Sequence, residues 1–309
     1  MHKYIIKRII SVIPVLLGVT FLLFSLMHIT PGDPMRILLG ENAPPEAVAE
    51  MRAELGLDDP FAVQYFRWLR RAVFEGDLGF SYRTRRPVST EIMERLPTTL
   101  ILGTAAITIS VVIGVPFGVI SAVKHNSIFD RFSMVVSIAG VSMPTFWEAL
   151  LLILLFAVRL DWLPSSGFDS FPHIILPAFT LGTNGIAVFA RLTRATMLEV
   201  IRQDYIRTSR AKGQTEFITI SRHALRNALI PVVTVVGLWF GGMIAGSVIV
   251  ESIFSIPGLG RLTVDSINAR DFPVVQGGVL LMAVTFSLVN LAVDILYAFL
   301  DPRIKSQYK

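Results

Sequence analysis

Residues 203–231 read QDYIRTSRAKGQTEFITISRHALRNALIP, a basic stretch with one central glycine, set between apolar runs at 173–190 and 228–250. Read as a helix, its first part puts Ile201, Tyr205 and Thr208 on one face and turns Arg202, Gln203 and Arg210 elsewhere. Gly213, free to adopt φ > 0, is expected to end that helix. A second short helix is expected from Glu216, with Phe217, Ile220 and Leu225 roughly aligned. Pro231 then fits the first turn of the following helix, where its missing N–H leaves no bond unmade. The stretch reads as a short amphipathic elbow outside a bilayer, anchored at both ends and shaped to be gripped by another protein.

The flanking sequence supplies the bilayer. The 309 residues are 53% hydrophobic and only 17% charged, with a mean hydropathy of +0.62. Soluble domains carry about 25% charged residues. Six apolar runs match the roughly 20 residues that cross a hydrocarbon core: Ile9–Ile29, Thr98–Val123, Phe132–Val158, His173–Ala190, Ala228–Val250 and Val274–Leu300. Only Glu148 and Asp294 carry charge within them. The pattern is that of an all-α, polytopic membrane protein with six transmembrane helices.

Lys3, Lys7 and Arg8 precede the first run, as in a signal peptide, but the run is too long for an h-region and Met27-His28-Ile29-Thr30 offers no small-residue cleavage site. It is expected to be a retained helix. With the N-terminus inside, the inner segments hold sixteen Lys or Arg and the short outer segments three. The positive-inside rule therefore puts both termini and the elbow in the cytoplasm. Segment 30–97, with nine arginines and no lysine, exceeds the length over which the rule applies. A sequence pI of 9.7 then calls for no nucleic-acid partner. Without cysteine there is neither disulfide nor thiol chemistry.

The chain reads as three regions: 1–97, the first helix and an extracytoplasmic helical segment; 98–300, a five-helix core with the loop 191–228; and 301–309, a cytoplasmic tail. Pro31-Gly32-Asp33-Pro34 turns the chain after the first helix. Pro44-Pro45-Glu46 opens a helix that Gly56 closes, and a second helical pattern runs from Pro60 to Gly76. Phe61, Tyr65, Trp68, Leu69 and Val73 give the latter an apolar stripe, as for a small cap on the outer membrane surface. Arg83, Arg85 and Arg86 cluster beyond it, either as a solvated or lipid-facing surface or as a contact for an external partner.

Several chemistries are absent. No G-x-x-x-x-G-K-[ST], H-E-x-x-H or G-x-S-x-G occurs, and the five histidines are scattered, so no metal site is expected. Glu148 follows Met143-Pro144-Thr145-Phe146-Trp147, an expected helix break in the third run. As an intramembrane acid it is a candidate for a translocation pathway or for a pairing with a neighbouring helix. Asp294 reads as a local ion pair or interfacial residue. Gly114-x-x-x-Gly118, Gly237-x-x-x-Gly241 and Gly242-x-x-x-Gly246 permit close helix approach, for internal packing more readily than for subunit contact.

Asp204–Gly213 followed by His223–Pro231 resembles the coupling loop of ABC importer permeases, closest to the first-permease (B-type) subunits of the dipeptide/oligopeptide/nickel branch. The same order of smaller matches runs along the chain: Pro31–Pro34, Leu55–Asp58, Gly76–Gly79, Pro257–Arg261, Arg270–Gln276 and Asp301-Pro302-Arg303. The general signature begins Glu-Ala-Ala where this chain has Arg207-Thr208-Ser209, and the interval from Gly213 to Pro231 is longer. A salt bridge made by the usual glutamate therefore does not transfer to Arg207.

The resemblance implies the type I importer permease fold in a prokaryotic inner membrane. It implies as partners a second, similar permease, two cytoplasmic ATPases that bind ATP and magnesium, and an extracytoplasmic substrate-binding protein. No cofactor is expected in this chain. Thr208, Ser209, Arg210, Ala211, Lys212, Gly213, Gln214, Thr215, Glu216 and Phe217 would dock into the ATPase. Short peptides are the expected substrates, with glutathione and nickel chelates as alternatives. A self-sufficient channel, an ion-coupled carrier, or an intramembrane enzyme or scaffold remain as other classes.

Overall fold

The computed structural model describes residues 2–29, 35, 39–40, 42–54 and 56–300. The Pro31–Pro34 turn, Leu55 of the Leu55–Asp58 match and the tail 301–309 with Asp301-Pro302-Arg303 lie outside the described residues. Among those described, the structure is helical apart from loops and one isolated bridge between Phe80 and Pro87. Helices are the form in which a chain satisfies its own backbone within hydrocarbon.

Among the described residues, five helices are long and apolar enough to cross a membrane: Ile6–Ile29, Val88–Val123, Phe171–Ile201, Glu216–Ile253 and Phe272–Ile295. The third expected span is a broken pair, Ile128–Ser142 and Thr145–Arg159, bent by 106°. Pro144 supplies the break: it forces Met143 out of helical geometry, to φ −81° and ψ 126°. Counted as one span, the pair brings the total to the six expected. The fourth helix is longer than its apolar run, continuing past Ala190 to Ile201.

The chain divides into two compact units, residues 6–99 with 257–285, and residues 1–5 and 100–256 with 286–309. In the first unit, α1 (His2–Ile29) packs its later turns against α3 (Phe61–Arg70). Phe21 and Phe24 meet Phe61 and Tyr65 edge-to-face at centroid distances of 5.3–5.8 Å, and the Tyr65 and Thr20 hydroxyls bond at 3.0 Å. Between them, α2 (Pro45–Glu54) is followed by Gly56 at φ +64°. A π-helical turn, Arg71–Glu75, extends α3 to Gly76, which caps it left-handed. That turn corrects the expected stripe. Phe61, Trp68 and Leu69 are half-buried and Tyr65 buried, but Val73, shifted by the extra residue per turn, is 65% exposed.

The same unit contains α11 (Leu259–Asn268) and the first part of α12 (Phe272–Leu300). Asp271 fixes the hairpin after Gly79, accepting from the Ser81 hydroxyl and from the backbone N–H groups of Tyr82 and Arg83. Burial, and next the Asp271 carboxylate, push the Tyr82 phenol up to about 12. Arg86 pairs with Glu94 at 2.6 Å. Val88, Ile92, Leu259 and Val274 form this unit's apolar core.

In the second unit, α4 (Val88–Val123, from Leu100 onward) and α7 (Phe171–Ile201) approach almost backbone to backbone. A Cβ at Gly114 would lie 2.7 Å from the Ile186 carbonyl, and one at Gly118 would lie 2.5 Å from that of Ala190. Gly182 and Gly185 return the contact against Ala106 and Ser110, whose hydroxyl donates to the Gly182 carbonyl at 2.8 Å. The helix α10 (Leu225–Ile253) meets α12 through Gly237 against Val293 and Gly241 against Phe286. A Cβ added at Gly242 or Gly246 would find no neighbour within 4 Å among the described residues, so no other described helix of this chain packs closely against these two glycines. The expectation of internal packing thus holds for two of the three glycine pairs.

Candidate functional site

The elbow begins where α7 ends. The helix stops at Ile201, Gln203 turns extended at ψ 149°, and α8 (Asp204–Ala211) restarts with Asp204 in its first turn, where a carboxylate favours the helix dipole. The break resets the helical register, which corrects the sequence reading. The buried face of α8 is Ile206 and Ser209, not Ile201, Tyr205 and Thr208; Tyr205 and Thr208 are exposed.

Gly213 stands at φ +76° after the last turn of α8, its N–H bonded to the Arg210 carbonyl at 3.0 Å. Thr215 caps the second arm, accepting from the Ile218 N–H at 3.4 Å. That arm starts at Glu216, as expected, but is not a separate short helix. The three residues of α9 (Glu216–Ile218) pass through a π-helical stretch, Thr219–Ala224, directly into α10. Glu216–Ile253 is one helical rod of 38 residues. Pro231 accordingly lies inside α10 rather than in a first turn, and Phe217 points away from the protein at 80% exposure, out of line with half-buried Ile220 and Leu225.

Side chains hold the bend. Arg210 grips Glu216 with two bonds, Nε to Oε2 at 3.1 Å and Nη2 to Oε1 at 2.7 Å. The Ser209 hydroxyl donates to Gln214 Oε1 at 2.8 Å and lies 3.2 Å from the Thr219 hydroxyl. His223 Nε2 meets the same Gln214 oxygen at 2.8 Å, and Asn227 donates to the Tyr205 hydroxyl at 2.8 Å. Beneath the bend, Ile206, Met197, Ala224, Ala228 and Ala122 form a buried cluster. The elbow is thus moulded onto α4, α7 and α10 rather than hanging as a loop.

Of the candidate docking residues, Thr208, Arg210, Ala211, Lys212, Gly213, Gln214, Thr215, Glu216 and Phe217 form a continuous exposed surface. Ser209 does not belong to it: at 8% exposure it ties the two arms together from inside. Arg207 and Lys212 carry positive charge there, with Phe217 as an apolar knob.

A second charged centre lies near this end. Asp130, at the start of α5 (Ile128–Ser142), is 3% exposed and accepts from Arg194 of α7, from the Ser121 hydroxyl and from the Asn126 N–H. His125 Nδ1 lies 3.3 Å from Asp130 Oδ2 and 3.1 Å from Arg194 Nη2. Sequence reading missed this pair because its partners are far apart along the chain; the one local signal was Ser127, which caps α5 through the Asp130 N–H.

Glu148, in α6 (Thr145–Leu152), is 6% exposed beside Thr183 of α7, and its Oε2 has no hydrogen-bond partner among the described residues. Within this chain it is packed between helices, well away from the elbow in sequence. Asp294 is half-buried in α12. Among the described residues no cluster of His, Asp or Glu is arranged to hold a metal. His28 contacts Gln64 at 3.2 Å and His173 contacts Ser170 at 2.9 Å, each in its own local pair.

The family model described as binding-protein-dependent transport system inner membrane component matches residues 114–306, and the corresponding N-terminal model matches residues 1–103. The dipeptide transport system permease protein DppB of Alkalihalophilus pseudofirmus is 44% identical over 99% of this chain and 100% of its own length. The glutathione transport system permease protein GsiC of Escherichia coli K12 is 46% identical over 99% of each chain. Among solved structures, an inward-facing form of the MetNI methionine ABC transporter matches with a TM-score of 0.57 at 20% identity, covering 68% of this chain and 96% of that one. At that identity the likeness concerns the fold.

Proposed function

We propose that this chain, which belongs to the family of binding-protein-dependent transport system inner membrane components, lines one half of the pathway by which an ATP-driven importer admits short peptides. It is an ABC importer permease, a transport component of a multi-pass membrane complex. The observation that carries the substrate class is identity of 44–46% over essentially the whole chain to permeases named for a dipeptide and for glutathione. Both are short peptides, so a pathway for an extended backbone with two charged ends serves either. Glutathione is the second reading, favoured by the 46% match.

The complex would hold a second permease, two cytoplasmic ATPases and a binding protein outside the membrane. ATP and magnesium belong to the ATPases, since this chain carries no phosphate-cradling loop. Both termini and the elbow face the cytoplasm in this arrangement. Each elbow seats in a groove of an ATPase. Closure of the ATPase pair on ATP carries the elbows together and rocks the helices from inward- to outward-facing, and the binding protein then delivers its peptide. A nucleotide shifts that equilibrium only through contacts that differ between the two states, so the transmitting element must be stiff. The Arg210–Glu216 and Ser209–Thr219 bonds support that reading of the elbow.

Two experiments test it. Titration of the cognate binding protein with dipeptides, longer peptides, glutathione and nickel–histidine should show tight binding of a short peptide; tight binding of the nickel complex alone would overturn the substrate. In the reconstituted complex, Gly213→Trp should uncouple ATP hydrolysis from binding-protein stimulation or release the ATPases. Gly213→Ala carries the same left-handed strain without the bulk, and so separates backbone distortion from obstruction of the docking surface. Normal uptake by the tryptophan variant with all subunits retained would remove the elbow from the mechanism.

A further inference from the structure

Beside the end of α1, the unit formed by residues 6–99 and 257–285 holds an open cavity of about 720 Å³. That volume is in the range of ligand pockets, about 300–1,000 Å³. Its lining is in part apolar, with Phe24, Met27, Trp68 and Phe272. It also includes four arginines, Arg52, Arg67, Arg71 and Arg85, and among the described lining residues a single carboxylate, Asp77. Arg52 and Arg67 are paired with Asp58 and Asp59 at 3.1 and 2.6 Å, and Asp77 accepts from the Gly79 N–H at 2.8 Å. Arg71 and Arg85 make no ion pair among the described residues.

Two more donors on the cavity wall lack acceptors among the described residues. The Trp68 indole Nε1 and the Gln276 amide Nε2 are buried without a partner, and Gln276 is only 4% exposed. Native proteins rarely leave such donors unmatched.

The position of the cavity narrows the guest further. Phe24 and Met27 lie in the last two turns of an apolar span that ends at Ile29, so the cavity sits where a helix leaves hydrocarbon. The opposite surface of α3 and its extension exposes Phe66, Val73 and Phe74 at 66%, 65% and 82%. A short helix with apolar side chains outward and arginines beside them is the pattern of a helix lying in the membrane interface.

We propose that this cavity takes one acidic phospholipid from the surrounding leaflet. Its phosphate lies between Arg71 and Arg85, and the upper part of one acyl chain runs along Phe24, Met27 and Trp68. Uncompensated positive charge at the headgroup level selects an anionic over a zwitterionic lipid. The apolar lining distinguishes the site from one for a free anion.

The full chain, purified in detergent and stripped of lipid, would be titrated with phosphatidylglycerol, phosphatidylcholine and inorganic phosphate, with binding read by native mass spectrometry. One phosphatidylglycerol per chain is expected, preferred over phosphatidylcholine by about tenfold or more. Arg71→Gln with Arg85→Gln should abolish the preference; both positions are exposed, so the thermal midpoint should stay unchanged as proof of folding. A preference that survives the double substitution, equal binding of the two lipids, or no retained lipid would each overturn the proposal. Displacement of the lipid by phosphate alone would do so as well, by assigning the site to a free anion.

Discussion

Arg194 holds Asp130 with both edges of its guanidinium, Nε to Oδ1 at 2.6 Å and Nη2 to Oδ2 at 2.8 Å, and so ties the start of α5 to α7 just before the elbow. The carboxylate is buried while the arginine side chain keeps about a fifth of its surface, 21%. Bidentate geometry and two further donors make this the most completely satisfied ion pair described in the chain.

Removing one partner should therefore cost far more than removing both. Arg194→Met leaves a buried carboxylate without its counter-charge, a loss of about 3–5 kcal/mol. Adding Asp130→Leu should recover most of it. Thermal unfolding of the purified single and double variants measures the difference. A single-variant loss below about 1 kcal/mol would mean that the pair behaves like an exposed one.

The glycines of α4 and α10 should separate by their surroundings. Gly118→Ala drives a Cβ to 2.5 Å from the Ala190 carbonyl, an overpacking expected to cost about 1–3 kcal/mol. Gly242→Ala meets nothing within 4 Å and should instead gain up to about 1 kcal/mol in the isolated chain from helix propensity. The ranking of the two thermal midpoints is the readout, and a reversed order would contradict the close α4–α7 approach.

At Gly213 the constraint is the backbone dihedral, not space. With φ at +76° and open surroundings, Gly213→Ala should destabilise by about 1 kcal/mol, and Gly213→Asn by less, since asparagine tolerates the left-handed region. Hydrogen exchange at the elbow amides would report the difference. Equal protection in both variants would argue that the left-handed turn is not held in solution.

Asp271 is expected to govern the hairpin at 79–87. Asp271→Ala strips the acceptor from the Ser81 hydroxyl and from two backbone N–H groups, each charge-assisted bond being worth about 1.5–3 kcal/mol. Proteolysis should then cut within 81–87 in the variant and not in the parent. Equal resistance would show that the Phe80–Pro87 bridge holds the hairpin unaided.

Orientation is open to a direct test. Alkaline phosphatase, active only outside the cytoplasm, should be silent when fused at Gln214 and active when fused at Asn42. The charge count of sixteen against three makes that forecast, and activity at Gln214 would reverse it.

The spans, the Met143-Pro144 break and the glycines that close α2 and α3 were legible because each rests on local chemistry: apolar length, a proline's steric demand, a residue free to take positive φ. Within the elbow, the turn at Gly213 and the start of the second arm at Glu216 were legible for the same reason. Its inward face was not, because the break at Arg202–Gln203 restarts the helical count and no periodicity runs across it. Val73 and Phe217 were misplaced by π-helical turns, which add a residue per turn without a compositional mark. The Asp130–Arg194 pair was hidden by distance along the chain, and Glu148 was visible as an acid in an apolar run while its neighbour Thr183 was not.

The helix from Glu216 to Ile253 joins the second arm of the elbow to the far end of a span in one rod. Its 38 residues span about 57 Å at 1.5 Å per residue. A tilt of about ten degrees about the midpoint moves each end by about 5 Å, in opposite directions. Were the rod to tilt as one body, a displacement at Gly213 would reach Ile253 equal in size and reversed in sense.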